Sequence, residues 1–206
     1  MTPRVALVLL ALAGCADVGA PDRPSPYPFA YTIPNGFVAV FRWPSSALPV
    51  RVWVEPDGDL PSDVEHGLRL WEGVAIYGEF RGVLVADSAR ADVIVTLGEP
   101  EVPGPGAVLS CSAGTAWGIN FDTTIVLPFR TTLRRRTIAS PSDAAACLRI
   151  VAAHELGHAL GLITESDDPG DLMYGIPTVG VPSARDRATF TTLYHTQPTV
   201  RLPAGR

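Results

Sequence analysis

Two histidines four residues apart, His154 and His158, stand in the order H-E-x-x-H with Glu155 between them. On a helix, residues four apart lie about one turn apart on the same face, so both imidazoles can reach one metal ion. Zinc accepts such nitrogens at about 2.0–2.1 Å in roughly tetrahedral geometry. Glu155 lies about 100° around the helix from His154, which suits it to take a proton from metal-activated water and pass it to a leaving amine. The pattern predicts zinc-dependent peptide hydrolysis; the competing interpretation is a solvated helix face with two ordinary histidines.

The histidines need a helix to hold them, and the flanking residues predict one. Ser142 or Asp143 can cap its start, and Gly161 is well placed as its C-terminal stop after about Leu160. Upstream, short apolar or alternating runs predict strands, and apolar residues at helical spacing predict an earlier helix. The order β, α, β, β, β, α, loop, α therefore predicts an α+β fold, a twisted mixed sheet with helices packed on it.

The remaining predicted elements lie on both sides of this helix. The early helix is capped by Ser62 or Asp63, and the last helix is capped by Ser183. Residues 98–116 are rich in Gly and Pro and predict a long loop, and residues 134–136 are three arginines that predict a solvated loop. The predicted strands cover residues 50–54, 80–85, 91–97, 117–122 and 124–127.

The chain begins with the features of an export signal. Arg4 precedes an apolar run from Val5 to Ala13, which is shorter than the roughly 20 residues needed to span a bilayer. Five prolines between Ala16 and Pro34 predict an extended tether, and the alternative is an irregular segment packed along the domain. The predicted organisation is a signal at residues 1–14, a tether at 15–36 and one domain at 37–206.

The composition excludes several classes of protein. The chain has 206 residues, 47% of them hydrophobic, and a net charge of -5, which excludes a disordered chain. Acidic residues outnumber basic ones by 21 to 16, which argues against a nucleic-acid-binding protein. We expect an exported monomer whose partner is a peptide or protein substrate.

Residues 151–162, which read V-A-A-H-E-L-G-H-A-L-G-L, resemble the active-site helix of the metzincin metalloproteases, and within them the matrixins. Met173 lies in a segment that resembles the family's Met-turn, and residues 183–194 are similar to its closing helix. The segment Gly118–Asp122 resembles the edge strand on which the family binds peptides. The resemblance implies a metzincin-like zinc endopeptidase with Glu155 as general base and acid. The residues that it implies in substrate binding are Gly118, Ile119, Asn120 and Phe121.

The family's motif continues to a third histidine, H-E-x-x-H-x-x-G-x-x-H, and this chain departs from it. Thr164 occupies that position. Counting back from Met173 places the ligand on Glu165 instead, and a carboxylate is a normal zinc ligand at about 2.0–2.2 Å. We expect Glu165 to be the third ligand, with Asp167 or Asp168, and after them water, as the alternatives.

The segment Leu12-Ala13-Gly14-Cys15 resembles the lipobox of bacterial lipoproteins, in which the chain is cut before the cysteine. The resemblance implies acyl chains on Cys15 that anchor the protein in the cell envelope, at the outer membrane or the cell surface. The alternative is an ordinary signal peptide and a secreted protein. The two remaining cysteines, Cys111 and Cys147, are expected to form one disulfide in that oxidising compartment.

The missing histidine supports a second hypothesis about function. A catalytically degenerate protein would keep the fold and the cleft and act as a peptide-binding or envelope-associated lipoprotein. Glu155 is intact, however, and a non-catalytic protein has little physical reason to need it. We therefore expect an active enzyme.

Overall fold

The computed structural model describes residues 24–101, 112–116, 118–120, 122–136 and 141–205. The predicted signal sequence, Cys15, Cys111 and Phe121 lie outside the described residues. In chain order, the strands are β1 (Tyr31–Thr32), β2 (Val38–Ala39), β3 (Val50–Val54), β4 (Gly82–Leu84), β5 (Val93–Glu101), β6 (Ser112–Ala116) and β7 (Phe129–Arg136). The helices are α1 (Leu60–Val74), α2 (Pro141–Ala159) and α3 (Ala184–Tyr194).

Five of these strands form one mixed sheet in the order β4-β3-β5-β7-β6. Neighbouring strands run parallel except β6, which pairs antiparallel with β7 at one edge of the sheet. Strand β5 lies in the middle, where the side chains of Val93 and Val95 are buried. The predicted α+β architecture with a mixed sheet and packed helices is confirmed at this level.

Strands β6 and β7 differ from the sequence-based prediction. Residues 98–116 are not one loop, because β5 extends to Glu101 and β6 begins at Ser112. Residues 134–136, predicted as a solvated loop, are the end of β7. The buried side chains of β7 are Phe129, Thr131 and Leu133. Only two of them are large and apolar, so the alternation of apolar and polar residues that would predict a strand is weak.

Helix α2 carries the predicted site residues and packs closely on α1. The approach depends on Gly67, where a Cβ would lie 2.8 Å from Cδ1 of Leu156 and 3.0 Å from Cα of Ala153. Trp71 is fully buried at the same contact, and its Nε1 donates to the carbonyl oxygen of Ala153 at 2.8 Å. The contact fixes the distance between the two helices and so the position of the site-bearing helix.

The helix ends follow the sequence-based prediction in two cases out of four, and the predicted starts of α1 and α2 are wrong. Helix α2 begins at Pro141, before its predicted caps, Ser142 and Asp143. Ser183 caps α3 in a capping box with Asp186, and Gly161 follows the end of α2, as predicted. Helix α1 begins at Leu60, before either predicted cap, and Asp63 instead accepts from Nε of Arg149 on α2 at 2.9 Å.

Among the described helices, none combines the length and the apolar character needed to cross a lipid bilayer.

The N-terminal segment packs against the domain earlier than the predicted tether allows. Tyr27 is only 2% exposed, and strand β1, inside the predicted tether, pairs antiparallel with β2. The described part of this segment, from residue 24, therefore packs along the domain, as the alternative to a tether has it. Prolines favour an extended chain, but they do not prevent the tyrosine between Pro26 and Pro28 from being buried.

Candidate metal centre

Backbone carbonyls hold the two imidazoles of α2. Nδ1 of His154 donates to the carbonyl oxygen of Leu172 at 2.8 Å, and Nδ1 of His158 donates to that of Leu162 at 2.6 Å. A carbonyl oxygen can only accept, so on each neutral ring Nδ1 carries the proton and Nε2 keeps a lone pair. The two Nε2 atoms lie 3.1 Å apart. Two lone pairs this close repel each other unless a proton or a metal ion lies between them.

Glu165 brings a carboxylate to the same point. Its oxygens lie 3.5 Å from Nε2 of His154 and 3.3 Å from Nε2 of His158. Neighbouring ligand atoms around tetrahedral zinc, with bonds of about 2.0–2.1 Å, are about 3.3–3.4 Å apart. The distance of 3.5 Å is to Oε2 and that of 3.3 Å is to Oε1, so the carboxylate lies close enough to both imidazoles to share one ion with them. Within the described residues, His154, His158 and Glu165 form a group that can hold a metal ion, which we call the metal group.

The other acidic and hydroxyl candidates in this loop have different partners. The hydroxyl of Thr164 donates to the carbonyl oxygen of Pro28 in the N-terminal segment. Asp167 accepts from Arg185 at 2.8 Å, and a carboxylate oxygen of Asp168 lies 3.6 Å from the same guanidinium. Glu165 is thus the loop residue that meets the histidines, as the count back from Met173 predicts.

Gly161 allows the chain to turn sharply at the end of α2. Its φ of 110° lies in the left-handed region, where a side chain would be strained. Its amide donates to the carbonyl of His158 at 3.0 Å, and the amide of Leu162 donates to the carbonyl of Gly157 at 3.1 Å, which is a Schellman motif. A Cβ at Gly161 would also overlap the carbonyl oxygen of Phe41. The turn therefore requires glycine.

Met173 is fully buried against the site-bearing helix. A Cβ at Gly157, the residue before His158, would overlap the sulfur of Met173 and lie 2.9 Å from Cζ2 of Trp71. The loop between Glu165 and Met173 is closed by the amide of Ser166, which donates to the carbonyl of Met173 at 2.7 Å. These contacts hold the loop against the helix, with Met173 packed on Gly157.

Glu155 is 4% exposed and extends from α2 to the sheet edge. The hydroxyl of Thr115 on β6 donates to Oε2 of Glu155 at 2.7 Å and lies 2.8 Å from the hydroxyl of Thr131 on β7. Glu155, His158 and Glu165 line one cleft of about 220 Å³. Glu155 is therefore a second carboxylate beside the metal group. Sequence reasoning missed Thr115, because its role comes only from its position on the edge strand.

Charges within the site shift two pKa values. Burial opposes protonation of His158, but the hydrogen bond with Glu165 and the negative charges of Glu155 and Glu165 outweigh it and raise the pKa of His158. Burial also favours the neutral form of Glu165, but hydrogen bonds from His154 and His158 outweigh it and lower the pKa of Glu165 to about 2. The site thus favours the ionised carboxylate of Glu165, which is the form that binds a cation, and a positive charge at the imidazoles, which either a proton or a metal ion can supply.

The segment predicted to bind the substrate lies beside the cleft. The described residues of Gly118–Asp122 contain only an isolated bridge, Ile119 to Ile125, so the prediction of an edge strand there is wrong. Gly118 and Ile119 instead line a neighbouring apolar cavity of about 410 Å³, and Asn120 is an exposed residue that donates to Thr124. Among the described strands, β6 is the edge strand beside the cleft, which it lines with Ala113, Gly114 and Thr115.

The remaining candidate residues lie away from the metal group. His66 is exposed on α1, and Nε2 of His195 lies 3.7 Å from a carboxylate oxygen of Glu79. Cys147 on α2 is disulfide-bonded. Its predicted partner, Cys111, lies outside the described residues, so the pairing stays a prediction.

No model of a known protein family matches this chain. The evidence for its function is therefore the site itself, with three ligands for a metal ion, a buried carboxylate beside them and a strand edge along the cleft. Such an arrangement can bind a cation, accept a proton from water and pair with an extended peptide.

Proposed function

We propose that this protein is a zinc-dependent endopeptidase with a metzincin-like domain. One observation carries the proposal: Nε2 of His154, Nε2 of His158 and the carboxylate of Glu165 converge within 3.5 Å of one another. The resemblance to the metzincins implies that these histidines bind zinc. The mixed sheet, the helix that bears the site and the buried Met173 are compatible with such a domain.

The set of donor atoms favours zinc. Imidazole nitrogens with one carboxylate suit zinc, whereas magnesium and calcium prefer oxygen ligands alone. Three protein ligands leave one position open, which is typical of catalytic rather than structural zinc. A bound zinc ion would supply Lewis acidity to the substrate carbonyl and lower the pKa of a water molecule at the site.

Glu155 would transfer the proton. Its carboxylate lines the same cleft as His158 and Glu165, close to the position that the nucleophilic water would occupy. The hydroxyl of Thr115 binds Oε2, so Oε1 remains to accept the proton from water. Protonated Glu155 would then donate to the nitrogen of the leaving amine. Thr115 would hold the carboxylate in one orientation throughout.

Strand β6 would bind the substrate backbone. It is an edge strand, and an extended peptide can add to such an edge through main-chain hydrogen bonds whatever its side chains are. Ala113, Gly114 and Thr115 line the cleft together with Glu155, so a peptide paired there would pass the buried carboxylate. This arrangement suits cleavage within a chain, because the peptide can continue along the edge strand.

The proposed location is the bacterial cell envelope, with a lipid anchor on Cys15. The support is the lipobox-like sequence that ends at this cysteine. Changing Cys15→Ser should release the protein from the membrane fraction. An unchanged distribution between membrane and soluble fractions would contradict the anchor and leave the secreted protein as the alternative.

Zinc analysis and proteolysis test the enzymatic proposal together. Wild-type protein should contain about one zinc ion and cleave unfolded casein. Glu155→Gln should keep the zinc and lose activity by about 10²–10⁴-fold, the usual contribution of a general base. Glu65→Ala, which removes an exposed glutamate of α1, is the matched control and should retain wild-type activity.

Two results would contradict the enzymatic proposal. Wild type that binds no zinc, or equal activity in wild type and Glu155→Gln, would exclude the mechanism. Zinc binding and peptide binding without cleavage would instead support the degenerate, peptide-binding lipoprotein.

A further inference from the structure

The N-terminal segment contacts helix α3 and Thr164, and Tyr27 attaches it to the helix. This tyrosine is 2% exposed, and its hydroxyl donates to Oδ1 of Asp186 at 2.8 Å. Its backbone amide donates to the hydroxyl of Thr189 at 3.1 Å, which fixes the main chain as well. Burial and the negative charge of Asp186 raise the pKa of Tyr27, so the phenol remains a neutral donor. The segment is therefore attached to α3 by two directional bonds.

Asp186 connects this tyrosine to the Met-turn. Its side chain is fully buried and also accepts from the backbone amides of Leu172 at 2.7 Å, Met173 at 3.3 Å and Ser183 at 2.8 Å. Tyr27 and the amide of Met173 bind the same oxygen, Oδ1. Removing the phenol hydroxyl would therefore change the hydrogen bonding of the oxygen that holds the Met-turn.

One peptide plane links Asp186 to a ligand of the metal group. The amide of Met173 and the carbonyl of Leu172 belong to the same peptide bond, which is planar. Oδ1 of Asp186 accepts from the N–H group at one edge of this peptide unit. Nδ1 of His154 donates to the carbonyl oxygen at the opposite edge, at 2.8 Å. The orientation of this plane consequently determines the direction in which Nε2 of His154 points.

A second contact joins the same segment to the other ligand loop. The carbonyl oxygen of Pro28, the residue after Tyr27, accepts from the hydroxyl of Thr164. Thr164 immediately precedes Glu165, whose carboxylate approaches both histidines. The N-terminal segment thus contacts the loops that orient two of the three ligands.

We propose that Tyr27 is a positioning residue of the metal centre, which orients His154 through Asp186 and the Leu172–Met173 peptide plane. The inference rests on the proposed function in one respect, namely that the metal group binds zinc. It makes the segment around residue 27 part of the structure that supports the metal group. The adjacent contact between Pro28 and Thr164 supports Glu165 in the same way.

Zinc affinity of the full chain tests this inference without any activity assay. Tyr27→Phe removes only the hydroxyl and should weaken zinc binding about tenfold, as changes to the partners of metal-ligating histidines do. Tyr194→Phe is the matched control, because Tyr194 is also buried and donates to a backbone carbonyl, that of Leu160, at 3.2 Å. It should lower the thermal stability similarly and leave the zinc affinity unchanged.

The visible spectrum of cobalt-substituted protein gives a second readout. The cobalt bands should shift in Tyr27→Phe and remain unchanged in Tyr194→Phe, because the first variant alters ligand geometry. Thr164→Val removes the contact with Pro28 at a less buried position and should weaken zinc binding to a smaller extent. This variant tests the support that the N-terminal segment gives to the metal group even if Tyr27→Phe does not fold.

Equal zinc affinity in wild type and Tyr27→Phe would overturn the positioning role and leave the proposed function intact. An equal loss of affinity in Tyr27→Phe and Tyr194→Phe would also overturn it, because the effect would then be one of general stability. Wild type that binds neither zinc nor cobalt would overturn both the inference and the proposed function.

Discussion

On one side of the metal group, two histidines lie four residues apart on a single helix; on the other side, Glu165 comes from an irregular loop. The helical spacing of His154 and His158 is set by backbone hydrogen bonds within α2. The position of Glu165 depends on the Gly161 turn and on contacts with distant segments, including Pro28. The difference teaches that the spacing of a helical ligand pair is set locally, whereas the position of a loop ligand depends on tertiary contacts.

Removing one ligand from each side should give the largest effect. His154→Ala removes a helical ligand whose ring is only 4% exposed, so we expect zinc affinity to fall by more than the roughly 100-fold upper value for indirect partners. Glu165→Gln keeps a donor oxygen on a half-exposed side chain, so a smaller loss of about 10–100-fold is expected. Competition with a chelator of known affinity measures both. A greater loss in Glu165→Gln would reverse the comparison.

A substitution at the Gly161 turn should mainly lower the free energy of unfolding. Gly161→Ala forces a side chain into the left-handed region and against Phe41, so we expect a destabilisation of about 1–3 kcal/mol or more. Gly73→Ala in α1 is the matched control, since nothing lies within 4 Å of its Cβ position, and it should stabilise the protein by about 0.5–1 kcal/mol. Urea unfolding measures both variants. Equal midpoints would show that the turn tolerates a side chain.

A pH titration of zinc binding should show a smaller, graded effect. The pKa of His158 is raised above its usual value of about 6.5. Below this raised pKa the ring carries a proton on each nitrogen, and it must lose one of them to bind zinc. Affinity should therefore be constant above that pKa and fall about tenfold per pH unit below it. Glu165→Gln removes a contact that raises the pKa, so the fall should begin at lower pH. The same onset in both proteins would contradict the coupling of the loop ligand to the helical one.

The parts of the site that the sequence predicts correctly are those governed by local spacing. The pairing of His154 and His158 follows from helix geometry, and the stop at Gly161 follows from the need for a left-handed residue. Counting from Met173 could predict that Glu165 meets the two histidines, although Thr164 holds the usual position. In each case a few adjacent residues contain the relevant constraint.

The parts that the prediction misses depend on partners far away in the chain. Strand β6 contains mostly small residues, so only its pairing with β7 identifies it as the edge of the cleft. Thr115 has no motif around it, and its role depends on its distance from Glu155. Tyr27 lies in a proline-rich stretch that predicts a tether, yet it is buried against α3, 159 residues further along the chain.

The sequence by itself determined that two imidazoles and an adjacent carboxylate would share one helix, because helical periodicity is a property of consecutive residues. The tertiary structure alone decided which strand borders the cleft, that Thr115 meets Glu155 and that Tyr27 contacts Asp186. Thr115 and Glu155 are 40 positions apart in the chain, and Tyr27 and Asp186 are 159 apart. Neither spacing nor composition within a short window specifies such packing.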